Sequence, residues 1–143
     1  MTDSIRFLGM AKRAGTIVTG EESCGAAVKA HKVKLLMTCS DSSGNAQKRA
    51  GDYAAYGGVP LVTLPCTKAE LAQSLGIGMP SMAALTDTGM AACFLKKLCG
   101  ESPGQYEEVE QAVSSRAERA KRRKKETETR RREGTQGKRR KNV

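Results

Sequence analysis

The residues with the clearest chemical potential are the lysines and arginines near the end of the chain. Residues 1–113 hold equal numbers of basic and acidic residues, so the net charge of +10 comes entirely from residues 114–143. Dense blocks of one charge usually act as interaction arms, and rows of Arg and Lys neutralise phosphates. This segment is therefore expected to add phosphate contacts to a nucleic acid. The residues assigned to this role are Arg122, Arg123, Lys124, Lys125, Arg130, Arg131 and Arg132.

A solubilising tail or a solvated helix remains the alternative for this basic segment. Membrane-surface binding is disfavoured, because the segment lacks the apolar face that would insert between lipids. It also contains almost no large apolar residue, which predicts a segment that is largely disordered or helical and has no core of its own.

Other reactive side chains are few and scattered. The number of cysteines is odd, no two have the Cys-x-x-Cys spacing, and His31 has no cysteine within a few residues. Reduced thiols that serve as small apolar side chains are the expected state. The acidic residues fall at predicted helix caps, so no pairing of a nucleophile with a base is visible. We expect a protein that is not an enzyme and uses no metal or cofactor. The cysteines are Cys24, Cys39, Cys66, Cys93 and Cys99.

Length and composition favour one small folded domain. A chain of 143 residues has room for a modest core. No apolar stretch approaches the ~20 residues that span a bilayer, and no secretory signal is visible, so a cytoplasmic protein is expected. We also expect a monomer. The sequence GESPGQ at 100–105 breaks the pattern. It divides the chain into a predicted α/β/α domain at 1–100 and a basic low-complexity tail at 101–143.

The elements that must position any site alternate along residues 1–100. Strands are predicted at 16–18, 33–39, 59–64 and 82–86, and helices at 4–15, 19–31, 45–56, 67–76 and 87–100. Capping boxes are predicted at Thr19–Glu22 and Thr67–Glu70. The segment SDSSGN at 40–45 is expected to supply capping groups for the third helix, and Asp87 is expected to cap the last helix. Alternation with short loops predicts an α/β fold, a three-layer α/β/α sandwich with a largely parallel or mixed four-stranded sheet.

Several segments resemble the bacterial YlxQ-like proteins, which belong to the superfamily of kink-turn-binding ribosomal proteins. They are FLGMAKRAGTIVTGEE at 7–22, KLLMTCSDSSGNAQKR at 34–49, YGGVPLV at 56–62, TKAELAQSLG at 67–76 and ALTDTGMAACFLKKL at 84–98. The resemblance covers nearly all of residues 5–99 and implies a three-layer α/β/α fold. It further implies binding of structured RNA in a ribosomal or translation-associated ribonucleoprotein.

The resemblance also implies where RNA is held, at the start of the second helix and in the loop before the last strand. The residues at these positions are Gly20, Glu21, Glu22 and Ser23, and Gly78, Met79, Pro80, Ser81 and Met82. A helix N-terminus offers free N–H groups to phosphates or base edges, and Gly20 allows close backbone approach. Met79 and Met82 are expected to pack against an extruded base. Nearby candidates are Lys12, Arg13, Lys29, Lys32, Asn45 and Lys48.

Two questions stay open from the sequence. The kink-turn binders carry Gly-x-Asn-Glu and a lysine three residues later, whereas here Gly20-Glu21-Glu22-Ser23 is followed by Ala26. Asn45 either contacts RNA or caps a helix. The alternative function is a protein-interaction adaptor of the translation machinery, in which only the tail touches RNA. The zero net charge of residues 1–113 and the Glu21-Glu22 pair favour this alternative.

Overall fold

Helices and strands alternate along most of the chain. The structure, a computed structural model, describes residues 2–76 and 78–141, with side chains up to residue 133. Asn142 and Val143, which end the predicted tail, lie outside the described residues. The helices are α1 (Asp3–Arg13), α2 (Glu21–Lys29), α3 (Gly44–Gly57), α4 (Lys68–Leu75), α5 (Thr88–Glu101) and α6 (Glu107–Lys141). The strands are β1 (Ile17–Thr19), β2 (Leu35–Thr38), β3 (Leu61–Thr63) and β4 (Met82–Leu85).

The four strands form one mixed sheet in the order β1-β4-β2-β3. Strand β4 runs antiparallel to both β1 and β2, whereas β2 and β3 are parallel. Thr19 pairs with Ala83, and Met82 pairs with Thr38, so these residues mark one edge of the sheet, called here the upper edge. Ile17 pairs with Leu85 at the other end of the strands, the lower edge. The prediction of a mixed four-stranded sheet is confirmed.

Apolar side chains pack on both faces of the sheet in two separate clusters. Leu35 and Met37 join a cluster with residues of α1, α4 and α5, whereas Leu36 joins a cluster with α2 and α3. This division follows from the alternation of side chains along a strand. Each strand therefore anchors helices on opposite sides, and the loops between them meet at the two edges.

The second helix begins differently from the prediction. Thr19 is the last residue of β1 and pairs in the sheet, so it is not the N-cap. Gly20 takes that position at φ 93°, in the region that favours glycine, and α2 has no side-chain cap hydrogen bond. The predicted Thr19–Glu22 capping box is therefore wrong. The Thr67–Glu70 box of α4 is confirmed, because both reciprocal hydrogen bonds are present.

The last helix is partly built into the core. Val113 and Ala117 of α6 are buried in the same cluster as α1, α4 and α5. The Tyr106 hydroxyl, just before α6, donates a hydrogen bond to the Thr63 carbonyl oxygen at 2.8 Å. These contacts fix the direction in which α6 leaves the sheet. Within the described residues, no helix is long and apolar enough to cross a membrane.

Candidate nucleic-acid interface

Three segments meet at the upper edge of the sheet: the start of α2, the start of α3 and residues 78–82. The Gly20 N–H donates to the Met82 carbonyl oxygen at 2.9 Å, which joins the start of α2 to the beginning of β4. The side chain of Glu21 then accepts a hydrogen bond from the Ser81 hydroxyl at 3.3 Å. The fold therefore brings the two sequence-predicted segments, 20–23 and 78–82, side by side.

The first turn of α2 presents open backbone donors. Gly20 provides no side-chain cap, and its carbonyl oxygen accepts from the Cys24 N–H at 2.9 Å. The N–H groups of Glu21, Glu22 and Ser23 precede that first intrahelical bond and have no partner among the described residues. Free N–H groups at a helix start, with the positive end of the helix dipole, favour negatively charged or hydrogen-bond-accepting ligands.

Helix α3 places polar side chains beside this turn. Its N-cap is Ser43, whose side chain accepts from the Ala46 N–H at 3.1 Å, so Asn45 is not the cap. The Asn45 side chain is exposed and makes no hydrogen bond within the described part of the chain. Asn45 and Lys48 line a surface depression of about 480 Å³ together with Glu21. Two sequence-predicted residues of α3 therefore face the start of α2.

An ion pair connects the two helices across this depression. The Arg49 guanidinium donates to the Glu21 carboxylate at 2.9 Å, and both side chains are partly exposed. The positive charge of Arg49 therefore neutralises the negative charge of Glu21. Glu22 is exposed and has no ion pair among the described side chains. Of the two acidic residues at this helix start, only Glu22 is left unneutralised.

Hydrogen bonds to its backbone anchor the segment 78–82, which exposes one methionine. The Ser42 hydroxyl donates to the Ser81 carbonyl oxygen at 2.7 Å, and the Cys39 thiol donates to the Pro80 carbonyl oxygen at 3.6 Å. Met79 is 69% exposed, whereas Met82 is fully buried between the sheet and α2. The expectation that both methionines contact a base is corrected, because Met82 belongs to β4 and faces the core. Pro80 is also buried, and Gly78 is exposed.

Two relatives of known name place this chain in a family. The RNA-binding protein YlxQ of Enterococcus faecium is 34% identical over 73 residues, which cover 51% of this chain and 70% of the relative. The RNA-binding protein YlxQ of Bacillus subtilis is 32% identical over 85 residues, 59% of this chain and 84% of the relative. The chain belongs to the YlxQ family. No protein-family model matches it.

Solved structures show the same fold as this YlxQ-family chain. A Bacillus halodurans protein of unknown function has a TM-score of 0.63 at 22% identity and covers 68% of this chain and 98% of its own. The Giardia lamblia 15.5kD RNA binding protein has a TM-score of 0.54 at 13% identity, with coverage of 66% and 80%. At these identities the likeness concerns the fold alone.

The remaining candidates of the YlxQ-family chain do not reach the upper edge. Lys12 donates to the carbonyl oxygen of Leu75 at 2.7 Å and so caps the end of α4. Arg13 ends α1 and is exposed, with β1 between it and α2. Lys29 and Lys32 lie at the opposite end of α2 from Gly20. The fold therefore separates these four cations from the start of α2.

The basic residues of α6 form a further group, away from the upper-edge segments. They are exposed along the helix and include Arg122, Arg123, Lys124, Lys125, Arg130, Arg131 and Arg132. Apart from Arg131, these residues have no ion pair among the described side chains.

Three of the cysteines, Cys24, Cys39 and Cys66, are buried thiols with shifted pKa values. Burial raises the pKa of Cys24 to about 12. A hydrogen bond from Cys66 lowers the pKa of the Cys39 thiol, and the same bond raises that of Cys66. Within residues 2–76 and 78–141, no group of three His, Cys, Asp or Glu side chains is placed to hold a metal ion. The thiol of Cys39 instead anchors the segment 78–82.

Sequence reasoning missed two contributors to this site. Ser42 anchors residue 81 through its hydroxyl group, and its place in the SDSSGN segment was interpreted only as a source of helix caps. Arg49 follows Lys48 on α3, and its pairing with Glu21 joins residues 28 positions apart in sequence. The only signal in the sequence was an acidic residue in the first turn of one helix together with an arginine in the next helix.

Proposed function

We propose that this YlxQ-family chain is a non-catalytic protein that binds structured RNA through the upper edge of its sheet. The RNA is of kink-turn-like or ribosomal type, and the setting is the ribosome or another translation-associated ribonucleoprotein. The names of the two YlxQ relatives support RNA as the partner. The two apolar clusters support a three-layer α/β/α arrangement, in which helices on both faces hold the edge segments rigid.

The observation that carries this proposal is the uncapped start of α2. The N–H groups of Glu21, Glu22 and Ser23 have no partner among the described residues. Exposed Met79 lies in the segment that contacts this helix start through Ser81, and the unpaired side chain of Asn45 lines the depression beside Glu21. RNA specificity concentrates at irregular elements with unstacked bases. Such a base can stack on the thioether of Met79 while its edge or phosphate accepts from the helix start.

Charge at this edge is compatible with RNA once the ion pair is counted. Glu21 is neutralised by Arg49, and of the other charged residues that line the depression Lys48 is positive and Asp52 negative, neither with an ion pair among the described side chains. Glu22 remains as a repulsive group, which lowers affinity for phosphates close to it. The edge is therefore suited to base and backbone recognition, with limited electrostatic attraction.

Helix α6 supplies the electrostatic attraction that the edge lacks. Its cations add phosphate contacts that do not depend on sequence and speed the encounter with RNA. We place the end of the folded domain later than residue 100, because Val113 and Ala117 are buried in the core. The basic segment that is free of the core then begins after Ala117.

Binding of the full chain to a kink-turn RNA and to a plain duplex of equal length tests the proposal. Lys48→Gln removes a charge and Met79→Ala an exposed thioether, and both are expected to weaken binding to the kinked RNA more than to the duplex. Lys96→Gln is the matched control, since Lys96 is exposed on α5 away from this edge. Equal affinity for the two RNAs, unchanged in both edge variants, would contradict the proposal.

A second candidate function is a protein-binding adaptor, favoured by the neutral balance of residues 1–113 and by unpaired Glu22. In that case the upper edge grips a ribosomal or translation-factor protein and only α6 touches RNA. Pull-down of such a protein that survives nuclease treatment and is lost in Met79→Ala distinguishes this function from the first.

A further inference from the structure

A cationic groove lies at the lower edge of the sheet, away from the segments described above. It is a groove of about 390 Å³ between the body of the protein and α6. The body contributes His31, Lys34 and the turn at residues 57–59. Lys34 precedes β2, and its N–H donates to the carbonyl oxygen of Leu85, which fixes the groove at the lower edge.

Helix α6 closes the groove with one of its faces. Arg116, Arg119 and Arg123 line it, at spacings of three and four residues that bring side chains onto the same side of a helix. Val113 lines the same wall and is buried, so this part of α6 is held against the body. The arginines are therefore presented on a fixed support over a length of about 10 Å.

The charge of the groove is positive and unmatched. Lys34, Arg116, Arg119 and Arg123 have no ion pair among the described side chains, and no Asp or Glu lines the groove. Asp87 lies beside it as the N-cap of α5, and its carboxylate accepts from the Met90 N–H at 2.8 Å. Thr88, the first residue of α5, lines the groove and turns the positive end of that helix dipole toward it.

We propose that this groove binds the phosphate backbone of an RNA strand, as a second RNA site separate from the upper edge. Arginine fits this role because its planar fork donates to phosphate oxygens in pairs. An RNA strand is favoured over an acidic peptide because the positive charge continues past the groove along α6, through residues such as Arg130. An extended polyanion can follow both surfaces. The chain then contacts two RNA segments, one at each edge of the sheet.

The inference rests on RNA being the partner, but it is tested apart from recognition at the upper edge. The probe is a short oligouridylate, which has no structure for the upper edge to select. The full chain is titrated at several salt concentrations, and the slope of log affinity against log salt is measured. Arg119→Gln with Arg123→Gln removes two groove charges, and this pair is expected to reduce the slope by about 1.4, at about 0.7 per phosphate contact.

The matched control removes two charges from the other side of the same helix. Lys121→Gln with Lys125→Gln is expected to reduce the slope by less than the groove pair, because these residues do not line the groove and contribute only to the general positive charge of α6. Lys34→Gln tests the body side of the groove and is expected to reduce the slope by about 0.7. An effect from Lys34 shows that the site is a groove and not the helix alone.

Three results would overturn the inference. The first is an equal reduction of the slope by the two α6 pairs, which would mean that the binding charge is spread over the whole helix. The second is a slope that Lys34→Gln leaves unchanged. The third is displacement of the oligouridylate by oligoglutamate at equal concentrations of phosphate and carboxylate. In each case, preserved selectivity for the kink-turn RNA over the duplex leaves the proposed function standing. Loss of that selectivity with intact groove effects contradicts the proposed function alone.

Discussion

Replacement of Val113 by Ala tests whether the first turns of α6 belong to the folded core. Val113 is 1% exposed and packs in the cluster that includes α1, α4 and α5. The change removes two buried methyl groups, worth about 1.6 kcal/mol at about 0.8 kcal/mol each, and leaves a small cavity that adds to the loss. The expected fall in the free energy of unfolding is therefore about 2 kcal/mol.

Urea and thermal unfolding of the full chain measure this loss. At roughly 4 °C per kcal/mol, the midpoint temperature is expected to fall by about 8 °C. Ser115→Ala on the same helix is the control, because Ser115 is exposed and the change keeps helix propensity high. It is expected to shift the free energy of unfolding by less than about 0.5 kcal/mol.

An unfolding curve of Val113→Ala that matches the control would refute the reasoning. It would mean that α6 is detached from the body in solution, and the groove at the lower edge would lose its wall. The expected loss instead supports a folded unit that continues past residue 100, so that truncation for binding studies belongs after Ala117.

Three further changes test other parts of the account. Gly25→Ala places a Cβ 2.7 Å from the end of the Tyr53 side chain, which must shift to make room, with an expected loss of about 1 kcal/mol of unfolding free energy; Gly51→Ala, with open space around it, is expected to stabilise α3 by about 0.5–1 kcal/mol. Equal effects of the two glycine changes in chemical denaturation would contradict the packing. Burial raises the pKa of Cys24 from 9.0 to about 12, so between these pH values the unfolded chain loses this proton first. The free energy of unfolding therefore falls with rising pH by up to ~1.4 kcal/mol per pH unit. Cys24→Ala removes this part of the pH dependence, and denaturation of both proteins near pH 10 measures the difference. Glu21→Gln frees its arginine partner on α3 and is expected to tighten RNA binding with a steeper salt slope in a filter-binding assay, while changing stability by less than about 1 kcal/mol; weaker binding would count against the charge argument.

Local sequence signals predicted the elements well where the physics is local. The Thr67–Glu70 capping box and the Asp87 cap are confirmed, because their partners lie three residues away. Strand ends were less predictable, because they depend on register with neighbours. Thr19 pairs with Ala83 and so cannot cap α2, and Met82 begins β4 and faces the core.

The parts of the site that depend on tertiary contacts were beyond a single sequence. Glu21 meets Arg49 and Ser81 only because α2, α3 and the segment 78–82 converge at one edge. Docking of α6 depends on three small apolar residues, Val109, Val113 and Ala117, next to a strongly basic stretch. Three such residues at helical spacing give too weak a periodic pattern to predict burial.

The most direct test of the central claim is a titration of the isotopically labelled full chain with a kink-turn RNA, followed through its backbone amide resonances. The account predicts the largest changes at Glu21, Glu22 and Ser23, whose N–H groups are open in the structure, with further changes at Asn45 and Met79. Changes confined to residues 116–141, with the amides of 21–23 unmoved, would contradict recognition at the upper edge and leave RNA binding to α6 alone.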